Sequence, residues 1–161
     1  MNKIIFTIIF IGAIGCKTNG QKENIISNKY IIKKSDDKWR KELPKLSYYV
    51  LRKAYTEPAF SGKYDNFYEK GHYLCKACNS KLYNSENKYN SGSGWPSFDR
   101  GNDENLEYNV DYKIGYPRVE IKCNKCGGHL GHMFEDGPKK TTGKRHCINS
   151  AALKFVKNNI N

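Results

Sequence analysis

Residues 106–126 read LEYNVDYKIGYPRVEIKCNKC, and this stretch decides the fold. Apolar and polar side chains alternate over residues 106–113 and again over residues 119–123, which is the period of a half-buried β-strand. Residues 114–117 contain a glycine and a proline and are short enough to join the two strands. The pattern therefore predicts an antiparallel hairpin whose returning strand ends in a Cys-X-X-Cys pair.

Weaker patterns on both sides of the hairpin indicate further strands. These short runs lie near residues 73–75, 81–83, 130–134 and 152–156. No long helical pattern separates them, so the strands are expected to pair with their neighbours in antiparallel fashion. The order of elements predicts a mainly β domain with helices packed at its N-terminal side.

Two short helices are expected before the first strand. Ser35, followed by two aspartates, favours the start of one helix, and Pro44 favours the start of the next. Leu46, Tyr49 and Val50 are spaced as the apolar face of that second helix. It is expected to end at residues 56–58, because the residue before a proline avoids the helical conformation.

Four of the six cysteines form two Cys-X-X-Cys pairs, Cys75 with Cys78 and Cys123 with Cys126. Two such pairs can offer four thiolates to one tetrahedral zinc ion and leave no open position, so we expect a structural zinc site. In an oxidising compartment the same residues could form disulfides instead. Redox-active pairs are the least favoured alternative, because neither pair contains proline and no βαβ pattern surrounds them.

The N-terminus has the pattern of an export signal. Residues 1–15 have an early lysine and then an apolar run that is too short to span a bilayer comfortably, which predicts a signal peptide. AIGC at residues 13–16 resembles a bacterial lipobox, so Cys16 is expected to carry lipid. Residues 16–34 would then be the lipidated cysteine and its linker, and residues 35–161 the folded domain. A plain signal peptide or a retained anchor are the alternatives.

The expected location is therefore outside the cytoplasm, with the chain lipid-anchored to a bacterial membrane and facing the periplasm or the cell exterior. Lysine and arginine number 28 against 16 acidic residues, a formal net charge of +12. The lysines are scattered through the chain, which favours solubility and attraction to a lipid surface over nucleic-acid binding. No nucleic-acid partner is expected.

Cys147 has no partner at short spacing and is the candidate nucleophile. Arg145 and His146 precede it and Asn149 follows, and cationic neighbours would lower the thiol pKa and favour the reactive thiolate. The alternative is a buried, inert thiol in a strand.

His129 and His132 stand three residues apart in a glycine-rich segment. Glycine is costly inside a helix, so a helical metal site is not expected there. In a strand or turn, one imidazole can approach a ligand and donate a proton near neutral pH. Surface or helix-capping histidines are the alternative.

Taken together, these motifs resemble the B-type peptide methionine sulfoxide reductases, which reduce the R epimer of methionine sulfoxide. The resemblance covers about residues 39–156. It rests on the two cysteine pairs and on TEPAFSG at 56–62, SGSGWPSF at 91–98, CGGHLGHMFEDGP at 126–138 and RHCINSAAL at 145–153. It implies a fold of two antiparallel sheets with N-terminal helices.

The resemblance also implies a role for each site residue. Cys147 would attack the sulfoxide sulfur and become a sulfenic acid. His129 and His132 would bind and polarise the sulfoxide oxygen through water, with Asn149 and Arg145 as their polar support.

Two aromatic residues would form the apolar side of the site. The indole of Trp95 would pack on the substrate S-methyl group, and Phe134 would complete the wall. Considered without the family, Trp95 beside a proline would be interpreted first as a core aromatic residue. The substrate would be methionine-R-sulfoxide in proteins, and possibly the free amino acid.

One departure from the family pattern affects the mechanism. Many members carry a resolving cysteine just before GWPSF, where this chain has Ser93. The resemblance then implies a one-cysteine cycle that an external thiol or a thioredoxin-like protein completes. The competing classes are a zinc-containing binding module with an inert Cys147 and a thiol-disulfide oxidoreductase that uses its Cys-X-X-Cys pairs.

Overall fold

The computed structural model describes residues 29–158. Within them lie two helices, α1 (Asp36–Glu42) and α2 (Lys45–Lys53). The strands of the same region are β1 (Gly71–Cys75), β2 (Lys81–Asn84), β3 (Lys88–Tyr89), β4 (Ser97–Phe98), β5 (Leu106–Asp111), β6 (Arg118–Cys123), β7 (His129–Phe134), β8 (Arg145–Ile148) and β9 (Leu153–Lys157). The expected signal peptide, Cys16 and most of the expected linker lie outside the described residues. Neither described helix has the length and apolar character needed to cross a membrane.

The strands form two antiparallel sheets, as predicted. The larger sheet has the order β3-β4-β8-β7-β6-β5, and the smaller one has the order β2-β1-β9. The predicted hairpin is β5–β6, which pairs from Leu106 opposite Cys123 to Asp111 opposite Arg118. The sequence analysis did not predict β3, β4 or β8, and β8 carries the candidate nucleophile.

Only the end of the hairpin at which Leu106 pairs with Cys123 is buried. Leu106 is 4% exposed, whereas Val110 on the same face of β5 is 61% exposed. The alternation therefore identified the strand correctly but not the extent of the core. β5 is the edge strand of the larger sheet, and Tyr108 and Val110 in its outer half are exposed.

Both predicted helices are present, and their starts agree with the capping pattern. The Ser35 hydroxyl accepts a hydrogen bond from the backbone N–H of Lys38, and Pro44 is the N-cap of α2. Helix α2 runs through Lys53 and stops before residues 56–58, as expected, and the left-handed conformation of Ala54 closes it.

The predicted apolar face of α2 is correct at Val50 but wrong at Leu46 and Tyr49. Leu46 and Tyr49 are 43% and 44% exposed, while Tyr48 and Leu51 are nearly fully buried beside Val50. The helix is thus rotated from the expected orientation. Tyr48 reaches Asp36 of α1 through its hydroxyl at 2.7 Å, a tertiary contact that helical periodicity does not encode.

The core lies between the sheets and is rich in aromatic rings. Tyr73 of β1 packs edge-on against Phe98 of β4, with ring centroids 5.1 Å apart. Tyr83 of β2 stacks on the other side of Phe98 at 4.3 Å. These contacts fix the smaller sheet against the larger one and leave the opposite face of the larger sheet free to carry polar side chains.

Candidate active site and four-cysteine centre

The candidate site lies on one face of the larger sheet, where side chains of adjacent strands stand in register. Ser97 of β4 is opposite Cys147 of β8, and Cys147 is opposite His132 of β7. His132 is in turn opposite Glu120 of β6. Directly opposed residues point to the same face of a sheet, so this row places a thiol, an imidazole and a carboxylate side by side.

The close approach of β7 to β8 depends on Gly131. A Cβ atom at this position would lie 2.0 Å from the backbone oxygen of Cys147, so no other residue fits without moving the strands apart. Glycine here is therefore what allows His132 and Cys147 to face each other across the ladder.

A small pocket of about 110 Å³ opens above this row. Its lining residues are Thr56, Trp95, Arg118, Gly131, His132, Phe134, Cys147 and Asn149. The structure thus brings five of the expected site residues to one cavity, and most of the exposed lining is apolar. His129 lines a second cavity of about 380 Å³, which shares Thr56, Arg118 and His132 with the first.

The thiol pKa of Cys147 differs from the expectation. Burial raises the pKa, and the nearby Arg145 guanidinium and the Ser93 hydroxyl only partly oppose that rise. His146 contributes no positive charge, because alternate residues of a strand point to opposite faces. It packs on the far side of the sheet near Tyr83, where burial lowers its pKa to about 4. Burial therefore favours the protonated thiol of Cys147 in the substrate-free protein.

Arg145 is engaged by an acidic partner that the sequence analysis did not identify. Its Nε and Nη2 atoms each lie 2.8 Å from a carboxylate oxygen of Asp136. The guanidinium carbon lies 4.4 Å from the ring centroid of Phe134. This arrangement holds the Phe134 ring in the pocket wall, and the Asp136 carboxylate offsets part of the positive charge near Cys147.

His129 and His132 are buried, which is inconsistent with surface or capping roles. The Nδ1 atom of His129 lies 2.6 Å from Oε1 of Glu120, and Nε2 of His132 lies 2.8 Å from Oδ2 of Asp111. Arg118 donates to the same Asp111 oxygen at 2.7 Å. Burial lowers the pKa of His132, although Asp111 opposes this effect.

These carboxylates determine which nitrogen of each neutral imidazole holds the proton. In the neutral ring the proton lies on Nδ1 of His129 and on Nε2 of His132, each facing its carboxylate. The remaining nitrogen of each ring is then a hydrogen-bond acceptor. Nε2 of His129 is buried and has no hydrogen-bond partner within residues 29–158. It is available to a ligand or a water molecule.

Asn149 acts through the backbone around the pocket. Its side-chain oxygen accepts from the N–H of Glu57 at 2.9 Å, and its Nδ2 donates to the carbonyl of Leu130 at 2.9 Å. The carbonyl of Glu57 in turn accepts from the indole N–H of Trp95 at 3.0 Å. Asn149 therefore connects the loop after α2 with β7, and the same loop fixes the Trp95 ring.

Glu57 is a second residue that the sequence analysis missed. Its carboxylate is 2% exposed and accepts hydrogen bonds from the backbone N–H groups of Ser150 and Ala151. A buried carboxylate is stable only when donors surround it, so the loop and the segment after β8 hold each other in place. The acidic residue within TEPAFSG was the available signal.

The four cysteines of the two Cys-X-X-Cys pairs meet at one point. Their sulfur atoms all lie within 4.8 Å of one another. The shortest distances run between pairs, with Cys75 3.7 Å from Cys126 and Cys78 3.5 Å from Cys123. A disulfide needs about 2.05 Å, and none is formed by the described cysteines. Tetrahedral zinc with Zn–S bonds of about 2.3 Å requires sulfur atoms about 3.8 Å apart, so the cluster fits a bound metal ion.

One free thiol in a largely apolar pocket, beside carboxylate-paired imidazoles, defines a cysteine-dependent site, and a four-thiol centre lies apart from it. Comparison with known proteins agrees. The SelR domain is recognised over residues 43–157. The chain is 50% identical over 129 residues to the peptide methionine sulfoxide reductase MsrB of Leptospira interrogans, covering 80% of this chain and 98% of that protein.

The MsrB proteins of Burkholderia pseudomallei and Burkholderia lata are 47% and 48% identical over 79% and 76% of this chain. The alignments cover 90% and 86% of those proteins. The chain therefore belongs to the SelR, or MsrB, family of peptide methionine sulfoxide reductases. This confirms the resemblance inferred from the sequence motifs.

Proposed function

We propose that this chain reduces methionine-R-sulfoxide in proteins to methionine, with Cys147 as the nucleophile. The observation that carries the proposal is the mixed lining of the pocket around this thiol. Trp95 and Phe134 supply apolar surface that suits an S-methyl group, while His132, and His129 in the adjoining cavity, supply polar groups that suit the sulfoxide oxygen.

The reaction balances with one thiol. The Cys147 sulfur attacks the sulfoxide sulfur, the sulfoxide oxygen is transferred, and the products are the methionine thioether and a Cys147 sulfenic acid. Methionine sulfur gains two electrons, and the cysteine sulfur loses them. The thiol proton ends on the sulfenic acid oxygen.

The imidazole tautomers support a role for water in polarising the oxygen. In the neutral form, each imidazole would present a lone pair, and so does a sulfoxide oxygen, so an imidazole and the sulfoxide oxygen could not hydrogen-bond directly. A water molecule can donate one hydrogen to an imidazole nitrogen and the other to the sulfoxide oxygen. As the oxygen gains negative charge, these hydrogen bonds strengthen.

The substrate itself favours ionisation of Cys147. The positive end of the S–O dipole would lie beside the thiol, and a positive neighbour lowers a thiol pKa. Burial alone raises that pKa in the free protein. The Cys147 thiolate would thus form when the sulfoxide is already bound beside it.

We further propose a one-cysteine cycle. The position before GWPSF is Ser93, whose hydroxyl lies 3.9 Å from the Cys147 sulfur, and the other described cysteines form the four-thiol cluster. An external thiol would attack the sulfenic acid with loss of water and form a mixed disulfide. A second thiol would then release Cys147. A small thiol or a thioredoxin-like protein can supply both.

The four-thiol centre is proposed to hold a structural zinc ion. Cys75 ends β1 of the smaller sheet and Cys123 ends β6 of the larger one, so the ion would join the two sheets. Four thiolates leave no open coordination position, and the role of the ion would be confined to folding.

First, we expect reduction of the R epimer with dithiothreitol, and a rate at least about 100-fold lower for the S epimer, whose oxygen would face the apolar wall. Cys147→Ser should abolish activity and His129→Asn should lower it about 100-fold. His72→Asn, a histidine on the smaller sheet, is the matched control and should remain active. Activity retained in Cys147→Ser would contradict the mechanism.

Second, one equivalent of substrate without reductant should convert Cys147 to a dimedone-reactive sulfenic acid, with the other thiols unchanged. Ser93→Cys places a thiol near the same sulfur, and this introduced thiol should condense with the oxidised Cys147 to a disulfide that no longer reacts with dimedone. A rapid intramolecular disulfide in the unmodified chain would show that the one-cysteine cycle is wrong.

Third, the purified protein should contain about one equivalent of zinc. Cys126→Ser should lose the metal and unfold at lower urea concentration, because metal binding stabilises the folded chain. Cys147→Ser, which removes a thiol outside the cluster, should keep its zinc. Less than about half an equivalent in folded wild-type protein would overturn the assignment.

Fourth, we propose that residues 1–15 are removed, that Cys16 is lipidated and that residues 16–34 join the anchor to the domain in residues 35–161. The support is the AIGC motif after an apolar run. Mass spectrometry of the mature protein should find an N-terminal acylated cysteine, and Cys16→Ser should release the protein from membranes. An unmodified N-terminus beyond Cys16 would refute the proposal.

A further inference from the structure

Three serine hydroxyls form a continuous chain that begins at the Cys147 sulfur. Ser93 Oγ lies 3.9 Å from Cys147 Sγ and 2.8 Å from Ser91 Oγ. Ser91 Oγ lies 2.7 Å from Ser97 Oγ, and Ser97 Oγ lies 3.2 Å from the carbonyl oxygen of Trp95. The chain thus connects the reacting sulfur to a backbone acceptor.

The two ends of the chain determine its direction when Cys147 is protonated. A carbonyl oxygen can only accept, so Ser97 donates to Trp95, Ser91 donates to Ser97, and Ser93 donates to Ser91. Ser93 then has a lone pair left, and the Cys147 S–H can donate to it. Every hydroxyl in the chain both donates and accepts in this arrangement.

Ionisation of Cys147 reverses the requirement at the sulfur end, because a thiolate can only accept. If each serine rotates its hydroxyl hydrogen, Ser93 donates to the sulfur, Ser91 to Ser93 and Ser97 to Ser91. The heavy atoms need not move. The Trp95 carbonyl alone loses a donor, and carbonyl groups tolerate that loss better than buried N–H groups do.

We propose that Ser93, Ser91 and Ser97 form a reversible hydrogen-bond chain that stabilises the ionised Cys147 sulfur. Ser93 contacts the reacting sulfur and is a catalytic residue, while Ser91 and Ser97 position its hydroxyl and polarise it. The chain gives Ser93 a function of its own. It rests on the proposed function for its role in turnover, but its effect on Cys147 is measurable without substrate.

Arg145, His132 and Tyr89 also face Cys147. Arg145 favours the thiolate through its charge and a hydrogen bond, but its Nε and Nη2 atoms bind Asp136, whose charge acts in the opposite direction. His132 on β7 directs its proton to a carboxylate. Tyr89 on β3 also interacts with the Cys147 charge, and the Cys147 thiolate raises rather than lowers the pKa of that phenol. Ser93 is an uncharged donor 3.9 Å from the sulfur, and turning its hydroxyl to the sulfur costs no ion pair.

The test measures the rate of Cys147 alkylation by iodoacetamide against pH, in the full-length zinc-loaded protein. Mass spectrometry of the Cys147 peptide separates this thiol from the others. Ser93→Ala should raise the apparent pKa of Cys147 by about one pH unit, which slows alkylation about tenfold below that pKa. Ser91→Ala should shift it in the same direction by a smaller amount, and Ser93→Thr, which keeps the hydroxyl, should restore the wild-type curve.

Ser85→Ala is the control, because its hydroxyl accepts from Gly71 at the smaller sheet, away from Cys147. It should leave the curve unchanged. An unchanged curve in Ser93→Ala would overturn the proposal, and an unchanged curve in Ser91→Ala would overturn the chain even if Ser93→Ala shifts. Absence of sulfoxide reduction with shifted alkylation curves would instead refute the proposed function and support the chain.

Discussion

The close contact between β7 and β8 is the constraint on which the site depends. Gly131 brings the two backbones together at the point where a side chain would collide with the Cys147 carbonyl. The ladder on either side of this contact then sets His132 opposite Cys147 and Phe134 opposite Arg145. Imidazole, thiol and aromatic wall are thus positioned by backbone hydrogen bonds, which are harder to disturb than side-chain rotamers.

Glu57 and Asn149 extend this rigidity to the loop that closes the pocket. Their bonds run from the loop after α2 to β7 and to the segment after β8, and they include the backbone group that fixes the Trp95 indole. A loop with no side chains buried beneath it would leave Trp95 free to rotate. The buried Glu57 carboxylate therefore helps to position the Trp95 ring, although Glu57 does not line the small pocket itself.

The sequence predicted the positions of helices and strands better than it predicted which of their residues are buried. Period-two alternation located β5 and β6, but it could not show that Val110 lies on an uncovered edge. The same limit explains α2, where tertiary packing buries Tyr48 and Leu51 and leaves Leu46 and Tyr49 exposed. Strand β8 was missed because its buried positions are His146 and Ile148, and a buried histidine interrupts the apolar alternation.

The site residues followed the same rule. Motifs identified the thiol, the imidazoles and the aromatic wall, because residue type and order carry that information. The carboxylates that bind the two imidazoles and Arg145 are distant from them in sequence. These residues, Asp111, Glu120 and Asp136, were found only in the structure. His146 shows the opposite error. Because it is next to Cys147 in the sequence, a positive charge near the thiol was expected, but strand geometry directs its side chain to the opposite face of the sheet.

The pocket makes conflicting demands on its nucleophile, and the contacts around Cys147 show how both can be met. An S-methyl group favours apolar walls, and apolar walls disfavour a thiolate. A strong permanent cation would favour the thiolate, but it would also leave it exposed to oxidation in the absence of substrate. Burial raises the pKa of the resting thiol, Asp136 offsets the charge of Arg145, and the reversible hydroxyl chain can serve either protonation state of the sulfur. The remaining stabilisation would come from the sulfoxide dipole, so that reactivity depends on the presence of the substrate.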